Sequence, residues 1–225
     1  MTRNNSEDGS KQVIQQEQVF VTTEILNSTA YHVHIDDYIG GLDYYRPLQS
    51  IFNSTSENDT IVIHLSSPGG DLNTALVVVG WLKNADAHTV CILEGTSASA
   101  ASLFVMSVDS VFVMPHSCLM LHSASYGYVN DQQRVKKFVD FSDEYLINLY
   151  KDFYDGFLSE EEINSMINSS QEIWLTADEV IERLQAREDN RQEVRMLEEG
   201  QSFDDIVPEK PKRKPRKKNK EVSNA

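Results

Sequence analysis

A hydroxyl becomes a nucleophile when a base can take its proton, and this sequence offers such a pair. Ser99 stands in Gly95-Thr-Ser-Ala-Ser, where the apolar run Thr89–Leu93 passes through small residues into ASAASLFVM. The entrance to a helix suits a nucleophile: its terminal N–H groups and dipole stabilise developing negative charge, and small neighbours let a substrate backbone approach. His122 closes the run Leu119-Met-Leu after Pro115, at the end of a strand that can return an imidazole to Ser99 as general base. Ser97 and Ser102 read as a helix cap and a buried packing residue. A second turn, Ser67-Pro68-Gly69-Gly70, follows the strand-like TIVIHL, and its paired glycines permit a tight bend that brings bare N–H groups close to a ligand. His32 and His34 would share one side of a strand, but no third ligand at ordinary metal spacing accompanies them, so no metal and no cofactor are expected.

The elements that must position these residues follow from periodicity. VFVTTEI (from Val19), Tyr31–Ile35, Thr60–Leu65, Thr89–Leu93, Val111–Met114 and Cys118–Leu121 read as strands, several apolar enough to be buried on both faces. Helices are expected over Tyr44–Phe52, Thr74–Leu82 and Ala98–Met106, which makes strand, glycine turn, helix a unit used twice. From Asp131 the period becomes that of a long amphipathic helix through Val135, Phe138, Ser142, Tyr145, Leu149 and Phe153, a form suited to self-association. Two capping boxes, Ser159 with Glu162 and Thr176 with Glu179, announce two shorter helices.

Composition narrows the function classes. The 225 residues are 40% hydrophobic and 24% charged, enough to bury one core without staples. No apolar run spans a bilayer and the polar start has no signal-peptide h-region, so a cytoplasmic protein is expected. Cys91 and Cys118 lie in apolar runs and read as small buried residues. The net charge of −15 hides an asymmetry: residues 1–209 carry 12 basic and 34 acidic groups, a net −22, whereas eight basic residues crowd Lys210–Lys220. So acidic a body repels nucleic acid except at that tail. The domain reading is a disordered arm at 1–18, one domain at 19–200 and a disordered tail with its basic cluster at 201–225.

Three motifs in order, LSSPGGD at Leu65–Asp71, GTSAS at Gly95–Ser99 and PHSCLMLH at Pro115–His122, resemble those of the proteolytic subunit of the Clp protease, including divergent and phage-encoded relatives. The resemblance runs from about His34 to Leu184. It implies an α/β, crotonase-like subunit of stacked βαβ units whose protruding handle helix, Tyr126 to about Phe157, pairs two rings into a closed barrel. It also implies an ATP-dependent Clp-type serine endopeptidase acting on peptides or unfolded proteins. Ser99 would be the nucleophile, His122 the base, and the N–H groups of Gly69 and Ala100 the oxyanion hole.

In two places the chain departs from that pattern. Aligning LTADE (Leu175–Glu179) with the family's corresponding segment puts Asn168 where the family carries an aspartate. An asparagine can orient His122 but brings no charge to its imidazolium, and Glu172 is the nearest carboxylate that could substitute. The family's axial loop is not recognisable in residues 1–25, so an AAA+ unfoldase partner is implied by the resemblance alone. Two rivals follow: a catalytically silent ring subunit, favoured by Asn168, and a crotonase-type acyl-thioester enzyme, disfavoured by Ser99 with His122.

Overall fold

The computed structural model describes residues 28–187 in full and the backbone of 12–16, 19–25 and 193–196. The basic cluster and most of the expected N-terminal arm lie outside the described residues. In chain order the elements are β1 (Gln12–Gln16), β2 (Val19–Ile25), β3 (Thr29–Ile35), α1 (Arg46–Asn53), β4 (Thr60–Leu65), α2 (Leu72–Asn84), β5 (His88–Leu93) and β6 (Thr96–Ala98). Then come α3 (Ser102–Val105), β7 (Ser110–Val113), β8 (Cys118–Leu121), α4 (Gln132–Tyr154), α5 (Glu160–Ser169), β9 (Ile173–Thr176), α6 (Ala177–Ala186) and β10 (Glu193–Met196).

They build a mixed α/β architecture of two sheets. The larger has the order β1-β2-β3-β4-β5-β7-β10, parallel from β3 onward, with the antiparallel β1–β2 pair along one edge. The smaller has the order β6-β8-β9, in which β8 runs parallel to β6 and antiparallel to β9. The central strands are apolar on both faces, as strands covered on both sides must be. Ile61, Ile63, Leu65, Cys91 and Leu93 join the main core with the helices, whereas Val62, Val90, Ile92 and Phe112 form a second buried cluster on the alternate positions. Each such fully buried aliphatic or aromatic side chain contributes about 1.5–3 kcal/mol relative to exposure.

Three sequence expectations change. Within the arm expected at 1–18, Gln12–Gln16 pairs with Val19–Val21 and its neighbours as a strand; its two apolar residues among glutamines carry too little periodicity to announce it. The segment Ala98–Met106 is not one helix: Ala98 ends β6, Ser99–Ala101 makes a single 3-10 turn, and α3 spans only Ser102–Val105. The reason is local, because Ser99 has φ 58°, a left-handed conformation that no right-handed helix can include. Cys118 is half-buried, its Sγ donating to Thr96 Oγ1 at 3.3 Å. Both capping boxes form as expected, and α4 starts from Asp131, whose carboxylate accepts from Arg134 N–H. Among the described residues no helix is long and apolar enough to cross a membrane.

Candidate active site

The parallel ladder β4–β5 ends with Leu65 opposite Leu93, so the turns that follow both strands emerge at one edge of the sheet. The first is Ser67–Gly70. Ile39 pins it by donating its N–H to Gly69 O and accepting from Asp71 N–H, both at 2.8 Å. Gly69 at φ 90° and Gly70 at φ 150° occupy backbone conformations that a side chain resists. Space forbids a side chain as well: a Cβ on Gly69 would lie 2.7 Å from Ser99 Cβ and 3.0 Å from Ala100 N. The glycine turn therefore packs directly on the nucleophile segment.

The second turn carries Ser99. Ala98 N–H donates to Ser67 O at 2.9 Å, and Cys118 N–H donates to Gly95 O at 3.2 Å, so the segment is stitched to the first turn on one side and to the histidine strand on the other. The register Thr96↔Cys118, Ser97↔Leu119, Ala98↔Met120 brings β8 alongside. Two residues beyond Met120, His122 reaches the serine: Nε2 and Ser99 Oγ are 2.7 Å apart, both side chains half-buried. With Ser99 as the donor, His122 is a neutral imidazole carrying its proton on Nδ1. A serine held at positive φ at a strand-to-helix turn costs about 1–3 kcal/mol, and such strain persists where the surroundings over-determine it.

Those surroundings include the C-terminal end of α4. Buried Tyr154 OH lies 2.7 Å from Ser102 Oγ, and that hydroxyl donates to Ser99 O at 2.7 Å, so the order of donation runs from tyrosine to serine to the Ser99 carbonyl. One turn earlier on the same helix face, Tyr150 OH accepts from Ala124 N–H at 2.6 Å, two residues past His122. Burial pushes both phenols above the ordinary tyrosine value. Two tyrosines four residues apart thus hold the Ser99 carbonyl, through Ser102, and the backbone at Ala124, two residues past His122. The amphipathic period placed α4, but its apolar face gave no sign that these hydroxyls carry the contact.

The other residues singled out in the sequence fare differently. Gly69 N–H donates to Ser67 Oγ at 3.1 Å, which in turn donates to Asp37 O, so this donor is engaged in the structure. Gly70 N–H makes no hydrogen bond within the described residues. Ala100 lies in the first turn after β6, where N–H groups have no intrahelical acceptor. Asn168 sits in the last turn of α5, exposed, with no side-chain hydrogen bond, and His122 has no partner other than Ser99 among the described residues. Glu172 stands one step beyond the Leu121–Ile173 pair, level with His122 across the ladder, but its carboxylate accepts from Trp174 Nε1 at 3.0 Å. The structure brings Ser99, His122, Gly69 and Ala100 together and leaves Asn168 and Glu172 out of contact with the histidine.

Such an arrangement can transfer a proton from a hydroxyl to an imidazole beside backbone N–H groups, the requirement for acyl transfer. Among the described residues no group of three or more histidine, cysteine, aspartate or glutamate side chains could hold a metal ion. Compared with known families, residues 2–183 match the family model described as Clp protease.

Proposed function

The chain belongs to the Clp protease family, and from that premise we propose that it is a self-compartmentalising serine endopeptidase of crotonase-like, stacked βαβ construction. The family supports a peptidase function; the particular machinery is our reading. Its strongest support is the 2.7 Å contact between Ser99 Oγ and His122 Nε2 at a serine with φ 58°.

His122 takes the Ser99 proton as Oγ attacks a peptide carbonyl, and the imidazolium then protonates the leaving amine. Water, deprotonated by the same nitrogen, hydrolyses the acyl-enzyme. The tetrahedral oxyanion is held by Ala100 N–H together with the glycine turn. Gly69 N–H would exchange Ser67 Oγ for the oxyanion, whereas Gly70 N–H is the donor that needs no exchange. Asn168 would fix the His122 tautomer by accepting from Nδ1–H, which requires the end of α5 to approach the histidine.

The exposed aromatic face of α4, with Phe141 65% exposed, suits ring or double-ring assembly through the handle. A closed chamber would admit peptides or unfolded chains, the latter delivered by an AAA+ partner using ATP. One observation favours a second reading, a catalytically silent ring subunit: no group among the described residues accepts from His122 Nδ1.

Labelling decides between them. An active-site-directed fluorophosphonate should modify wild type and not Ser99→Ala, and a fluorogenic peptide should be hydrolysed only by the former, with particle size read in parallel by native mass spectrometry. Equal labelling of the two proteins would end the assignment of Ser99, no labelling of an assembled wild-type ring would select the silent subunit, and a monomer at micromolar concentration would end the ring.

A further inference from the structure

The smaller sheet has two unlike faces. In the ladder of β8 with β9, Cys118 pairs with Thr176, Leu119 with Leu175, Met120 with Trp174 and Leu121 with Ile173. Leu119, Leu121, Ile173 and Leu175 are buried, which leaves the alternate positions on an open face where Met120 is half-buried and Trp174 is 56% exposed. One step past the Leu121–Ile173 pair, the alternation returns to that face at His122 on one chain segment and Glu172 on the other. Trp174 Nε1 donates to Glu172 Oε2 at 3.0 Å, so the carboxylate lies along its own strand, beside the indole.

Residues opposite each other in an antiparallel pair have Cβ atoms about 4.5–5.5 Å apart. From such a position a glutamate can turn its carboxylate along the strand, to the neighbour two residues on, or across the ladder to an imidazole. The imidazole here has a use for it. With Ser99 donating to Nε2, His122 carries its proton on Nδ1, and no group among the described residues accepts from that nitrogen. The Trp174 indole is the only hydrogen-bond partner of the Glu172 side chain among the described residues. Indole and neutral imidazole are both uncharged N–H donors to the same carboxylate, so they compete on similar terms, and removal of one donor shifts the carboxylate toward the other. A rotation of the Glu172 side chain suffices for that change, whereas Asn168 can accept from Nδ1 only if the end of α5 moves.

We propose that Trp174 is a positioning residue that holds the Glu172 carboxylate along β9 and away from His122, and that Glu172 accepts from Nδ1 of His122 when the indole N–H is removed. While the indole holds it, His122 acts as a base with no charge behind it. Once released, the carboxylate fixes the tautomer that carries its proton on Nδ1, and its charge stabilises the imidazolium formed when Nε2 takes the Ser99 proton; the Nδ1 proton stays on the ring. The effect on reactivity rests on the reading of Ser99 and His122 as the reacting pair, with Glu172 in the place given there to Asn168. The location of the carboxylate does not rest on that reading.

The test compares four full-length proteins: wild type, Trp174→Phe, Glu172→Gln and the double variant. Trp174→Phe keeps an aromatic ring at an exposed position and deletes only the N–H donor. Two quantities are read, the rate of fluorophosphonate labelling of Ser99 and the location of the Glu172 carboxylate in experimental structures of wild type and Trp174→Phe. Trp174→Phe should label about fivefold faster than wild type, the factor that corresponds to one ordinary hydrogen bond removed from the competing side, and its Glu172 carboxylate should lie within hydrogen-bond distance of His122 Nδ1. The double variant should label no faster than Glu172→Gln, because the gain needs the carboxylate. Labelling of Trp174→Phe at the wild-type rate, or a gain that persists in the double variant, would overturn the proposal. If none of the four proteins labels, a carboxylate that moves to His122 in Trp174→Phe would keep the positioning role and remove Ser99 as nucleophile; a carboxylate that stays along β9 would overturn the proposal whether or not Ser99 labels.

Discussion

The two histidine sites of this protein divide between them what a complete catalytic triad would combine. On one face, His64 bonds a carboxylate at one ring nitrogen and an imidazole at the other. On the other, His122 bonds a strained serine at Nε2 and has no acceptor at Nδ1 among the described residues. Saturated hydrogen bonding fixes a side chain, while an unsatisfied nitrogen leaves it able to change state. The contrast is between a histidine bonded at both ring nitrogens and one that keeps a ring nitrogen without an acceptor among the described residues, the latter belonging to the pair to which our proposal gives the reaction.

Exchanging single residues can break or sharpen that contrast. The largest effect is expected for His122→Ala, which should lower peptide hydrolysis by roughly 10²–10⁴, the usual contribution of a positioned base, against only a several-fold loss for His64→Gln. Steady-state hydrolysis of one fluorogenic peptide measures both, and equal losses would erase the distinction. Next comes Asn168→Asp. Loss of the aspartate in a serine triad costs about 10⁴ in rate, so restoring a carboxylate at Asn168 should raise turnover by about tenfold or more if α5 can reach His122. Unchanged turnover would mean that the exposed end of α5 stays clear of the histidine.

A smaller effect is expected of Tyr154→Phe. It removes the hydroxyl donated to Ser102 while Ser102 still donates to Ser99 O, and the loss of one buried hydrogen bond should cost about 1 kcal/mol in thermal or denaturant unfolding, with slower labelling of Ser99. Full stability with full labelling would show that the tyrosine does not hold the nucleophile segment. The smallest effect concerns a structural ion pair of the same saturated kind. Arg183 bonds both oxygens of Glu162 at 2.8 Å and, as the leading cause, holds that carboxyl below its ordinary value. A carboxyl depressed by folding stabilises above its unfolded pKa, and that stability is lost as pH falls through the folded value. Glu162→Gln should therefore lower stability by less than about 1 kcal/mol near neutrality and flatten its decline in acid, which denaturant titration at a series of pH values would detect.

Legibility followed the range of the interactions. β8 lies at Cys118–Leu121 as read, and both capping boxes formed, because side-chain alternation and a hydroxyl–carboxylate exchange are settled within a few residues. Ser99 and His122 were legible as chemical types in suitable local settings. The splitting of Ala98–Met106 was not, since the left-handed Ser99 is imposed by contacts from Gly69 and Ser67 that lie some thirty residues away. Asn168 was placed by matching a motif, and a motif carries no information about whether the side chain turns inward.

The sequence by itself determined the parallel α/β core, its two glycine turns, the long amphipathic α4 and the presence of a serine and an imidazole at element ends, because these depend on local propensity and period. Only the tertiary structure decided that Ser99 and His122 stand 2.7 Å apart, that two tyrosines of α4 brace them, and that His64 rather than His122 faces a carboxylate. Those contacts join residues 23 to 52 positions apart, and strand register and helix packing, which no single segment encodes, set each of them.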